Sequence, residues 1–148
     1  SEMCIRDRLR RIRITVGYEA RAFNIEEAAS LIYTHPRLLS LQEMYRVAAF
    51  YRPGTEQYRE IYEIAAYHFP DDVLANINAA SAVIMAGDPV SARQYLNKVA
   101  DDPRAWNDFG VLAYLEGDRK KAEKWFRKAL GIEPEKARKN LKKMKYEE

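Results

Sequence analysis

One pattern is laid down twice in succession in the second half of the chain, and it restricts the fold more than any other feature. Asn76, Ala80, Gly87-Asp88, Ala92 and Leu96 recur at one constant offset as Trp106, Gly110, Gly117-Asp118, Ala122 and Phe126. Within each copy the small and large apolar residues fall at helical spacing, and a Gly-Asp pair interrupts the run midway. Each copy therefore reads as helix, turn, helix. Such a unit cannot bury its apolar face alone, so it has to stack on its neighbours. A third, looser copy covers 39–72, with Tyr45, Ala48, Tyr58, Tyr62, Ala65 and Pro70.

The last copy, 103–136, carries Trp106, Phe109-Gly110, Tyr114, Gly117-Asp118, Ala122-Glu123, Phe126, Ala129-Leu130 and Pro134. This set resembles the tetratricopeptide repeat, a helix–turn–helix unit of about 34 residues. Tyr114 stands one place later than the family's tyrosine, and the middle copy, 73–102, has a shorter closing loop. The resemblance implies an all-α fold, an α-α superhelix of about three helix pairs with a capping helix over 134–146. It also implies packing roles for Trp106, Gly110, Ala122, Phe126, Ala129 and Pro134. The family's concave groove falls on the first helix of each pair. Here that means Met44, Val47 and Tyr51, then Asn78, Ser81 and Met85, then Arg104, Asn107, Asp108, Val111 and Tyr114, although Met44, Val47 and Met85 read equally well as packing between repeats. One subgroup of the family grips a C-terminal carboxylate with Lys, Arg and Asn. Asn78 and Arg104 fit that scheme, but Glu43, Val47 and Asp108 replace its other members, so a carboxylate clamp is not expected.

Helix boundaries are marked throughout. Asn24…Glu27 and Ser40…Glu43 fit capping boxes, in which cap side chain and glutamate each satisfy the other's backbone N–H. Asp88-Pro89 and Asp102-Pro103 set a capping aspartate before a first-turn proline. Pro53-Gly54, Ala86-Gly87 and Glu116-Gly117 are stops. Helices are predicted near 25–34, 40–51, 55–68, 72–86, 89–100, 103–116, 119–130 and 134–145.

The start of the chain differs. Arg11–Tyr18 alternates polar and apolar residues and predicts a strand whose partners belong to an upstream domain, so 10–23 reads as strand and linker left from that domain. Met3-Cys4-Ile5-Arg6-Asp7-Arg8 resembles translated sequencing-adapter read-through, and 1–9 is expected to be a non-native or disordered leader. The repeat domain is then 24–148. The phrases Val16–Phe23, Leu39–Tyr45 and Phe69–Asp72 with Ala75–Ala80 together resemble the C-terminal region of uncharacterised envelope proteins of Gram-negative anaerobes. In those proteins a domain similar to the peptidoglycan-binding part of outer-membrane protein A lies upstream, and fimbrial or adhesin genes often lie nearby. The resemblance implies a periplasmic or outer-membrane-associated location; a cytoplasmic adaptor is the alternative.

Charge is unevenly placed. The net formal charge of +3 resolves into +3 over 1–13, −7 over 14–118 and +7 over 119–148, where 12 basic face 5 acidic side chains. The basic end could touch a polyanion or anionic lipid, although a solvated helix face is the plainer reading. No specific nucleic-acid partner is expected, because Tyr45, Tyr58 and Tyr62 lie at packing positions. No apolar run reaches the ~18–20 residues of a membrane span. One cysteine and two histidines argue against a disulfide framework and a zinc site. Neither a nucleophile elbow nor a phosphate loop nor a zinc-protease string occurs. His35 and His68 stand at helix ends, and Glu26-Glu27 and Asp71-Asp72 at helix starts, where the helix dipole favours them. No catalytic residue, cofactor or metal is assigned. The expected function is a non-enzymatic scaffold with a protein or peptide partner in the concave groove.

Overall fold

The computed structural model describes residues 23–146, and among these every regular element is helical. The strand expected over 11–18 and the leader over 1–9 lie outside the described residues. Eight α-helices follow in order: α1 (Ile25–Leu31), α2 (Leu41–Ala48), α3 (Glu56–His68), α4 (Val73–Met85), α5 (Pro89–Leu96), α6 (Trp106–Leu115), α7 (Arg119–Ala129) and α8 (Pro134–Tyr146). Short 3₁₀ turns occupy Pro36–Leu38, Asn97–Val99 and Pro103–Ala105.

Side chains at the caps explain where the helices begin. Asn24 Oδ1 accepts from Glu27 N at 2.8 Å, and Glu27 Oε1 accepts from Asn24 N at 3.0 Å. Ser40 and Glu43 repeat this reciprocal pair at 3.1 and 2.8 Å. The Asp72, Asp88 and Asp118 carboxylates accept from the N–H three residues on, at 2.8, 3.2 and 3.0 Å. Each such bond satisfies a donor with no partner inside the helix. Asp102 behaves differently. It accepts from Arg104 N at 2.9 Å, only two residues on. That contact tightens the first turn to 3₁₀, and α6 starts at Trp106 instead of Pro103.

Several ends also fall short of the predicted limits. The first helix stops at Leu31, not near 34, because His35 precedes Pro36 and sits outside the helical region at φ −139°, ψ 58°. The second stops at Ala48, and the fifth tightens to a 3₁₀ turn after Leu96, a common way for a last turn to end. After α4 and α6 the chain turns at Gly87 and Gly117, both with φ +87°. A side chain there would be strained, so these two glycines set the tight α4–α5 and α6–α7 connections.

Consecutive helices pack on one another, most extensively α4 on α5 and α6 on α7. Alternate helices also meet: α4 touches α6, and α6 touches α8. The core follows the chain in three successive clusters. The first joins α1 to α3 through Ile32, Met44, Val47, Ile61 and Ala65. The second joins α4 to α6 through Ala80, Val83, Leu96, Phe109 and Leu112. The third joins α6 to α8 through Ala113, Ala122, Phe126 and Met144. The α6–α7 approach is set by Gly110, where an added Cβ would overlap the Phe126 ring. With no side chain at 110 the ring lies directly against the α6 backbone.

Candidate binding surface

The residues expected to line a groove divide into three groups. Met44 and Val47 are core residues, fully or nearly fully buried between α2 and α3. Of the two readings open for them, groove or packing between repeats, their burial among residues of α1, α2 and α3 fits packing. Tyr51 packs against the same cluster.

The second group ties the first helices of successive pairs together. Ser81 Oγ on α4 donates to Asp108 Oδ2 on α6 at 2.6 Å. Asn140 Nδ2 on α8 donates to Asn107 Oδ1 on α6 at 3.1 Å, and Asn107 is only 5% exposed. One turn earlier on α4, half-buried Asn78 lies near the Tyr45 hydroxyl of α2 without closing a well-formed hydrogen bond. Burial pushes the Tyr45 phenol up from its ordinary pKa, with Asp72 adding to the effect and Asn78 opposing it.

The third group is available at the surface. Met85, at the end of α4, is 46% exposed. Arg104 is exposed but folded back on Asp102, with an ion pair at 2.9 Å. Hydrogen bonds from the Arg104 side chain and backbone hold the Asp102 carboxyl down at about 2. Val111 and Tyr114 pack partly on the third cluster and line a recess of about 150 Å³ with Leu115, Phe126, Asn140 and Met144. The Arg119 guanidinium lies over the Tyr114 ring at 5.5 Å.

The residues given packing roles lie as follows. Ala122, Phe126 and Ala129 are buried. Trp106 is half-buried beneath the Lys128 ammonium, 4.5 Å from the ring centre, and the same ammonium lies 4.8 Å from the Trp125 ring, a cation–π arrangement. Pro134 is the first residue of α8, where its missing N–H is not needed.

The further cavities include two with a distinctive lining. The larger, about 600 Å³, opens between α7 and α8, with Arg119, Lys120, Arg127, Lys142 and Lys145 around an apolar floor of Leu141 and Met144. The basic composition of 119–148 anticipates its charge but not its shape. The other, about 440 Å³, is bounded by Ile32–Pro36, the last turns of α3, and Tyr95 of α5. Sequence reading missed it, because its tyrosines come from the turn after α1, from α3 and from α5, and share no motif. The available hint was that Tyr33, Tyr67 and His68 cluster at helix ends and not in helix interiors.

Among the described residues no group of His, Cys, Asp or Glu is placed to hold a metal ion, and no helix is long and apolar enough to cross a membrane. Compared with known protein families and with curated proteins, the chain matches none.

Proposed function

We propose that this chain is a non-enzymatic protein–protein interaction scaffold, a tetratricopeptide-like solenoid of three helix pairs (39–72, 73–102 and 103–136) capped by α8. The carrying observation is that α4, α6 and α8 meet side by side, joined by the Ser81–Asp108 and Asn107–Asn140 hydrogen bonds. Alternate helices in contact are what a stack of helix pairs produces, and the first helices then share one face. A peptide on that face would meet Met85, Arg104, Val111 and Tyr114. Met and Tyr give adaptable apolar contact, and Arg gives several donors for a peptide backbone or carboxylate. In this reading Asn78, Ser81, Asn107 and Asp108 hold the face in shape.

The resemblance to envelope proteins supports a periplasmic or outer-membrane-associated scaffold in an envelope or fimbria-type assembly; a cytoplasmic adaptor of the same fold is the alternative. A second reading, a polyanion or anionic-lipid contact, is favoured by the basic cavity between α7 and α8. Capture of partners from envelope extracts separates the two. Loss of specific partners with Met85→Glu and Arg104→Glu, and retention with Lys→Gln changes at 139, 142, 143 and 145, supports the α4–α6 face. The reverse pattern overturns it in favour of the basic end.

A further inference from the structure

We propose that the recess bounded by α1, α3 and α5 is a second binding site, which takes the cationic side chain of a lysine- or arginine-bearing peptide. Its volume is about 440 Å³, and Tyr33, Tyr67 and Tyr95 line it together with Pro36, Ile64, Glu63 and His68. The faces of phenol rings carry negative electrostatic potential and attract ammonium and guanidinium groups. Three such rings around one recess favour a cation over an anion, and the apolar Pro36 and Ile64 suit the methylene stem that precedes the charge.

The carboxylates reinforce this preference. Tyr33 Oη donates to Glu60 Oε1 at 3.3 Å, and Tyr95 Oη donates to Glu63 Oε1 at 2.6 Å. Both hydrogen bonds orient the rings and keep negative charge beside them. The neighbouring cation is already shared. Arg59 contacts Glu63 at 2.9 Å, Asp88 at 2.8 Å and Glu56 at 3.8 Å. Of these carboxylates Glu63 lines the recess itself and is shared with Arg59, while Glu60 bears on it through Tyr33. The last turn of α3 borders the recess, and a helix C-terminus carries partial negative charge. Burial and the acceptor carboxylates also push the Tyr33 and Tyr95 phenols up from their ordinary pKa, so both keep their protons at neutral pH. Tyr67 stands at the recess, 79% exposed, with its ring edge-on to His68 at 5.1 Å. It is the side chain best placed to close over an incoming methylene stem.

The test uses a fluorescein-labelled lysine-bearing peptide and its glutamine counterpart, followed by fluorescence anisotropy with the full chain. The lysine peptide is expected to bind about tenfold or more tightly than the glutamine one. Tyr67→Ala is expected to weaken it about fivefold, within the range of a cation–π contact, and Tyr67→Phe to retain it. Because Tyr67 is exposed, the circular dichroism and melting temperature of Tyr67→Ala should match wild type, which keeps a loss of binding interpretable. Equal binding of the two peptides, or unchanged affinity in Tyr67→Ala, overturns the proposal. Weakening by Met85→Glu with no effect of Tyr67→Ala would place the peptide on the α4–α6 face, which refutes this site and leaves the scaffold reading standing.

Discussion

Ser81 on α4 and Asp108 on α6 share a 2.6 Å hydrogen bond between helices that are separated in the chain by the whole of α5. Asp108 is half-buried, and burial pushes its carboxyl up to about 6, with Glu133 adding to the rise and Ser81 and Lys136 opposing it. The bond fixes the spacing of the two helices, but the carboxylate it accepts on is poorly solvated when ionised.

A pH dependence follows from that position. A carboxyl raised in the folded state binds its proton more tightly than in the unfolded chain. Stability then increases as pH falls through about 6, and the gain is complete below the ordinary value near 4. The carboxyls of Glu43, Asp88 and Asp102 are lowered by their hydrogen bonds, so their contributions are lost only at more acid pH. Between pH 7 and 5 the Asp108 effect therefore stands apart from theirs. Asp108→Asn keeps an acceptor for Ser81 and removes the titration. Thermal melts should show this variant more stable than wild type at pH 7, by up to about 3 kcal/mol, with the difference closing by pH 4. Parallel profiles for the two proteins would show that the site does not act in this way.

The α6–α7 contact makes a sharper prediction. Gly110→Ala places a methyl group where the Phe126 ring lies. In a packed interior the ring has to move or the helices have to separate, at a cost of about 1–3 kcal/mol. Adding Phe126→Leu to Gly110→Ala should recover part of the loss, although Phe126→Leu alone is also destabilising. Urea denaturation of the two single variants and the double variant reads this as a coupling energy. Strict additivity would count against the contact.

These two contacts differ in how far the sequence shows them. The pairing of Gly110 with Phe126 belongs to a repeated pattern of small and large residues, so helical periodicity and the repeat offset point to it. The all-α character and the helix starts are legible for a related reason, since caps and Gly turns are local chemistry. Ser81–Asp108 is not legible in that way. It joins two helices whose relative rotation comes from packing, and a serine and an aspartate on helices read equally well as solvent-facing groove residues. Met44 and Val47 are ambiguous for the same reason. Their spacing suits a concave face or a packing face equally, and the structure buries them among α1, α2 and α3. The tyrosine recess is less visible still, because it depends on the turn after α1 meeting α3 and α5.

Glu43 joins a local motif to a longer-range one. Its Oε1 accepts from Ser40 N at 2.8 Å, completing the capping box, while Oε2 accepts from Phe23 N at 2.7 Å. Arg46 on the same helix donates to Phe23 O at 2.9 Å. The start of the described chain is thus fastened to α2 through both the N–H and the C=O of one residue. Glu43→Ala removes the cap partner and leaves the Phe23 N–H without its acceptor. The expected cost is about 1–3 kcal/mol. It should appear in hydrogen exchange as lost protection of α1 and the first turn of α2, with α6–α8 unchanged. Uniform loss of protection along the chain would mean that Glu43 acts on global stability instead.

The basic cavity between α7 and α8 gives the polyanion reading a quantitative consequence. Five cationic side chains line it, and its single acidic residue, Glu123, is held by Arg127 at 2.7 Å. Inorganic polyphosphate bound there would displace counterions, so the logarithm of affinity should fall linearly with the logarithm of salt. Lys142→Gln and Lys145→Gln should each flatten that slope by about one phosphate contact. Lys98→Gln, on a turn away from this cavity, should leave the slope unchanged. Equal flattening by all three changes would mean that the polymer senses only overall charge, and the cavity would then have no part in binding it.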